Sequence, residues 1–230
     1  MNRSKTVAKL GQFTEEFILQ EAQRQYEENL ATINIDPKDT ALLVIDMLDE
    51  FVKPNWAPWR IPEATRQVPA IRSVVNAFRD AEAPVVFVGY ETSMRGKNFP
   101  DWGSVPVGAG FDAYKDDMLK TCAFYEGLRP QDGDYTVLKH SYSGFHGTIL
   151  ENLLRNIGAK TVVICGTMTN YCCGATAREA FWRGFNVVFG SDTNSTDDPR
   201  QQEAELRTLR RGYARIMDSK SIINAISGQS

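Results

Sequence analysis

The chain has 230 residues, 42% hydrophobic and 24% charged, with no Pro-, Gly- or Ser-rich linker dividing it. That excludes a disordered chain and reads as one globular domain with enough apolar material for a full core. A formal net charge of −3 without a block of Lys or Arg leaves no electrostatic footprint for nucleic acid or an anionic membrane, so a small molecule is the expected partner. Four cysteines, none in CxxC spacing, are too few for a disulfide framework and lack a zinc-site pattern. Met1 to Gly11 has no secretory-signal pattern and no apolar run reaches membrane length, which makes the cytoplasm the expected compartment.

In chain order, Thr14 opens a capped helix in which Phe13, Phe17, Ile18, Ala22, Tyr26 and Leu30 fall on one face. Residues 1–37 are read as an N-terminal helical extension and 38–230 as the domain proper. The apolar stripe has to be covered, either by its own domain or by a neighbouring subunit. Short β-branched runs follow at Ala41–Ile45, Pro84–Val88, Tyr135–Leu138, Thr161–Cys165 and Asn186–Phe189, with Arg215–Met217 as a sixth. Helix-period segments separate them at Ala64–Ala81, Gly147–Ile157, Cys172–Arg183 and Arg200–Tyr213, and Lys220–Ile226 closes the chain. Near-continuous apolar strands alternating with helices predict an α/β fold, a mostly parallel six-stranded sheet with helices on both faces. In such a sheet ligands bind beyond the carboxyl ends of the strands.

Asp46, Tyr90, Lys139 and the stretch after Cys165 all lie just past such ends. Asp46 follows the first strand and Lys139 follows the third; taken alone, Asp46 reads more readily as a turn former or helix cap and Lys139 as a solvated charge. Cys172 lies where a helix is predicted to start, a position that stabilises a thiolate and holds an oxyanion. Its alternative is a buried structural cysteine, the reading given to Cys165 and Cys122.

The combination resembles a known family. Asp46 in TALLVIDMLDEF, Lys139 in LKHSYSGFHGT and Cys172 in GTMTNYCCGATAREA are similar to the isochorismatase-like cysteine hydrolases from about Asp39 to Ile226. The Lys-x-x-Tyr-Ser-Gly-Phe stretch at Lys139, Tyr142, Ser143, Gly144 and Phe145 most resembles ureidoacrylate amidohydrolases and related amidases. The resemblance implies a Rossmann-like sheet in a hydrolase domain over 38–230, a catalytic Asp46–Lys139–Cys172 triad, and Cys173 as a small packing residue. It also implies a cis peptide at Thr167–Met168, with the Met168 and Cys172 N–H groups forming the oxyanion hole. Two departures stand out. Leu48 and Asp49 replace the family's usual Gln and Asn. The only histidines, His140 and His146, do not match the metal ligands of the family's nicotinamidases, so no metal and no cofactor are expected.

The function expected is cysteine-dependent amide hydrolysis, cleaving a C–N bond of a small amide, ureido or carbamoyl substrate through a thioester and releasing ammonia or an amine. Trp56, Trp59, Tyr90, Trp102, Phe145 and Tyr171 are candidate aromatic walls, with Tyr90, Phe145, Tyr171 and Trp56 taken as substrate contacts. Arg60 and Arg95 are candidate partners for a substrate carboxylate. Three alternatives stay open: an isochorismatase-type vinyl-ether hydrolase, a catalytically relict binding or scaffold protein, and a redox sensor built on Cys172 and Cys173. A homo-oligomer, dimer or tetramer, is expected from the apolar stripe and from the resemblance.

Overall fold

The computed structural model describes residues 11, 13–90 and 122–228, so Arg95 and Trp102 lie outside the described residues. Six strands form one sheet in which every pairing is parallel: β1 (Thr40–Ile45), β2 (Val85–Tyr90), β3 (Tyr135–Lys139), β4 (Thr161–Thr167), β5 (Asn186–Ser195) and β6 (Arg215–Met217). Their order is β3-β2-β1-β4-β5-β6. The strand direction of growth reverses between β1 and β4, and that crevice is where an open parallel sheet binds ligands.

Both faces of the sheet are covered, which is why its central strands read as unbroken apolar runs. In β1, Ala41, Leu43 and Ile45 face one core and Leu42 and Val44 the other. Helices α3 (Pro62–Asp80) and α7 (Ser219–Ile226) cover the second face; α4 (Leu150–Asn156), α5 (Gly174–Trp182) and α6 (Pro199–Gly212) cover the first. A single turn, α2 (Asp49–Val52), leads away from β1. No helix among the described residues is long and apolar enough to cross a membrane.

Differences from the expected elements have local causes. Strand β5 runs six residues past Phe189, through a polar stretch without the apolar signature of a strand. Asn194 supports it by donating through Nδ2 to the carbonyls of Ile164 and Gly190, 2.8 Å each, across a register shift between β4 and β5. Helix α4 starts at Leu150 and not at Gly147, because Gly147 has φ +65° and Thr148 Oγ1 accepts from the Leu150 N–H.

The N-terminal helix, α1 (Glu15–Glu27), is capped by Thr14, whose hydroxyl accepts from Phe17 N at 3.2 Å. Leu30 lies beyond its end. The C-terminal half of α1 docks on its own chain: Arg210 donates to the Tyr26 carbonyl, Arg207 pairs with Glu27, and Arg211 lies over the Tyr26 ring. Asn29 exchanges two hydrogen bonds with the backbone of Ile216 and so extends the edge at β6. Of the predicted stripe, Ala22 and Tyr26 are half-buried while Phe13, Phe17, Ile18 and Leu30 stay exposed.

One glycine positions the crevice. Gly166 has φ +134°, and a Cβ there would sit 2.0 Å from the Ile45 carbonyl oxygen, so only glycine lets β4 come this close to the end of β1. Gly166→Ala is expected to cost about 3 kcal/mol or more of stability. Urea unfolding followed by circular dichroism checks this, and an unchanged midpoint would contradict it.

Candidate active site

Asp46 is the first residue past β1. Its N–H still donates to the Val88 carbonyl at 2.8 Å, but its φ of +51° is left-handed, a conformation that Asp tolerates better than most residues. The chain therefore leaves the sheet while the carboxylate stays over its edge. Lys139 ends β3, two strands away, with its side chain fully buried and its Nζ 2.9 Å from Asp46 Oδ2, itself fully buried. The ammonium also donates to the Ser141 carbonyl at 3.1 Å and to Cys172 Sγ at 3.5 Å. Charged groups taken out of water this completely need paired charges and hydrogen bonds around them. No described donor meets the Asp46 oxygens in regular hydrogen-bond geometry; Lys139 compensates the charge, and the Cys172 thiol is close enough for the carboxylate to act on it both as charge and as proton acceptor.

Cys172 is buried, and its setting differs from the expected helix start. A π-helical turn, Thr169–Cys173, precedes α5, so the cysteine sits inside the turn two residues before Gly174. The Met168 carbonyl anchors that turn by accepting from Tyr171 N and Cys173 N. The Thr167–Met168 peptide is cis. A Cβ on Gly174 would meet the Thr169 carbonyl at 2.6 Å and the Glu205 carboxylate at 2.4 Å, which accounts for a glycine where the turn becomes a helix.

Burial pushes the Cys172 thiol up to about 12; Asp46 pushes the same way, and Lys139 and a hydrogen bond from Tyr90 oppose them. The resting group at neutral pH is therefore the thiol, and to serve as a nucleophile it would have to give up that proton. Burial also pushes Cys165 up to about 12 and Cys173 well above its ordinary value. Cys173 is fully buried in the core, consistent with a packing residue.

Thr176 was legible only as part of a motif, yet it joins two arms of the site. Its hydroxyl donates to the Cys172 carbonyl at 2.6 Å, one helical turn back, and accepts from the Gly144 N–H at 2.9 Å. The loop after Lys139 is thereby tied to the turn that carries Cys172. A Thr at i+4 that bonds back to a carbonyl is a common local pattern, and this was the signal available in the sequence.

The aromatic candidates separate. The Tyr90 hydroxyl is 3.5 Å from Cys172 Sγ, and its ring lies under the Lys139 ammonium, 3.4 Å from the centroid. Tyr171 is partly exposed and its ring meets that of Tyr142 at 5.3 Å. The two wall a surface depression of about 300 Å³ together with Asn170, Arg178 and Trp182; Asp46, Lys139 and Cys172 do not line it. Phe145 is buried in the core against Phe185. Trp56 is partly exposed with the Lys53 ammonium over its ring, and the Trp59 indole donates to the buried Glu50. Leu48 packs against Gly89 and bridges to Phe124, which places the residue that replaces the family's Gln inside the core. Arg60 is half-buried. The rings of His140 and His146 lie 6.4 Å apart, and no group of three or more His, Cys, Asp or Glu among the described residues is placed to hold a metal.

Residues 40–221 match the isochorismatase domain family. The chain belongs to the isochorismatase family of hydrolases. Nicotinamidase 3 of Arabidopsis thaliana is 33% identical over 211 residues, covering 89% of this chain and 96% of that protein. Among solved structures, a cysteine hydrolase from Pseudomonas syringae pv. phaseolicola 1448A superposes with a TM-score of 0.77 at 26% identity, covering 88% of this chain and 99% of that one. N-carbamoylsarcosine amidase from Thermoplasma acidophilum gives 0.62 at 30% identity, covering 79% and 96%.

The charge arrangement carries a prediction with a definite sign. The Asp46 carboxylate raises the Cys172 thiol, so Asp46→Asn removes an anion and lowers it. A larger thiolate fraction then exists at mildly alkaline pH, and iodoacetamide should alkylate Cys172 faster in the variant than in the parent, as read by peptide mass mapping. With Asp46 as the proton acceptor, turnover should nonetheless fall by about 10²- to 10⁴-fold. Equal or slower alkylation would contradict this account of the site.

Proposed function

We propose that this family member is a cysteine-dependent amidohydrolase that cleaves a C–N bond in a small amide, ureido or carbamoyl substrate, with Cys172 as nucleophile. The observation that carries the reading is the meeting of three side chains from separate parts of the sheet: one buried ammonium, on Lys139, lies 2.9 Å from the Asp46 carboxylate and 3.5 Å from the Cys172 sulfur. Titratable groups set this way in a crevice are what nucleophilic catalysis requires. A relative and a structural neighbour whose names state amide chemistry, the nicotinamidase and the N-carbamoylsarcosine amidase, support the substrate class.

In the proposed cycle the Cys172 thiol gives its proton to Asp46 as sulfur attacks the carbonyl carbon. Lys139 balances the negative charge that passes between them. The oxyanion is held by the backbone N–H groups of Met168 and Cys172. The Asp46 carboxyl then returns its proton to the leaving nitrogen, and ammonia or an amine departs from a thioester. Water, deprotonated by Asp46, attacks the thioester and restores the thiol, so that amide and water become acid and amine. No step passes through a metal.

The test is a screen of amides, nicotinamide among them, ureides and carbamoyl amino acids for ammonia or amine release. On an active substrate, Cys172→Ser should lose at least about a thousandfold in rate, whereas Cys173→Ser should retain most of the activity. Release of pyruvate from a vinyl ether without ammonia from any amide, or loss of activity in Cys173→Ser alone, would overturn the reading.

A further inference from the structure

We propose that Tyr90 is a further catalytic residue, whose hydroxyl donates a hydrogen bond to the Cys172 sulfur as that sulfur gives up its proton to Asp46. The inference rests on the reading of Cys172 as nucleophile, and it moves Tyr90 from the substrate wall to the reacting atom. Tyr90 is the last residue of β2 and stands opposite Lys139, the last of β3, in the parallel register. Neighbours in such a register project from the same side of the sheet, so the ring and the ammonium are brought side by side by pairing alone.

The two ends of the tyrosine have separate tasks. The ring face holds the Lys139 ammonium, 3.4 Å from its centroid, in a buried setting where a cation–π contact is strongest. The hydroxyl lies 3.5 Å from Cys172 Sγ, the same distance as the Lys139 ammonium. While sulfur carries its proton, either atom of the Tyr90–Cys172 contact can donate. Once that proton has moved to Asp46, sulfur has only lone pairs, and the phenol O–H is the donor. The transfer breaks one S–H bond and forms one O–H bond on the carboxylate; Tyr90 keeps its own proton throughout. Hydrogen bonds to an ionised acceptor are roughly twice as strong as neutral ones, so this contact strengthens as charge develops. That is the behaviour that accelerates a step. The thiol is also raised chiefly by burial, which leaves a donor at the sulfur with much to offset.

Tyr90→Phe separates the two tasks, since it keeps the ring and its contact with Lys139 and removes only the hydroxyl. At mildly alkaline pH, iodoacetamide should alkylate Cys172 about tenfold more slowly than in the parent, the effect of one unit on the thiol. On a substrate found by the screen, kcat should fall by a similar factor with KM unchanged. An unchanged alkylation rate would overturn the proposal whatever happens to turnover, and a raised KM with unchanged kcat would return Tyr90 to the substrate wall. Alkylation needs no substrate. Failure of the amidase reading is therefore distinguishable from failure of the Tyr90 assignment.

Discussion

A carboxylate and an ammonium, both removed from water and 2.9 Å apart, are the constraint around which the upper edge of the sheet is arranged. Desolvating two such ions costs several kcal/mol each, and a pair of this kind adds little stability over apolar side chains of similar size. In the proposed mechanism the pair has a use in what lies within reach of it, a thiol whose proton has to move. The ammonium is surrounded accordingly, by the Asp46 carboxylate, the Ser141 carbonyl, the Cys172 sulfur and the face of Tyr90. Each contact comes from a different segment, so the segments must be held in fixed relation for the charges to be tolerated at all.

The parallel sheet does most of that holding. The carboxyl ends of β1, β2 and β3 present Asp46, Tyr90 and Lys139, and β4 delivers the turn that bears Cys172. Gly166 permits the close approach of β4 to β1, and Thr176 ties the loop after Lys139 to the Cys172 turn. Farther out, Asn194 secures the polar end of β5 beside the same turn. These are backbone constraints imposed by glycine, threonine and asparagine, none of which carries chemistry itself.

Much of this is legible in the sequence. Apolar runs mark the strands, most plainly β1, β2 and β4, which are buried throughout, and Asp46, Tyr90 and Lys139 follow from where such sheets bind ligands. The resemblance singled out Cys172 and anticipated the cis bond at Thr167–Met168, which is present. What the sequence hid was polar or geometric. The last six residues of β5 have no apolar signature, because their strand conformation is supported by the Asn194 side chain. The π-helical turn around Cys172 has no periodicity of its own, so the helix was expected to begin two residues early. Phe145 is favoured as a substrate wall by lying near Lys139 in sequence and Tyr90 by ending a strand, but packing separates them the other way: the Tyr90 hydroxyl reaches the sulfur while the Phe145 ring turns into the core against Phe185. The stripe on α1 was visible, but its division into a half docked on α6 and an exposed half depends on distant arginines, among them Arg210, 184 residues from Tyr26 in sequence.

The central claim is that bond cleavage passes through a covalent adduct on Cys172. Acid quenching during turnover, followed by intact-mass and peptide mass analysis, tests it most directly. The account predicts an acyl or carbamoyl increment on the peptide containing Cys172 and Cys173, assigned to Cys172 by fragmentation and rising and decaying within the turnover time. An adduct on another residue, or an enzyme that remains unmodified at every quench time while product accumulates, would contradict it.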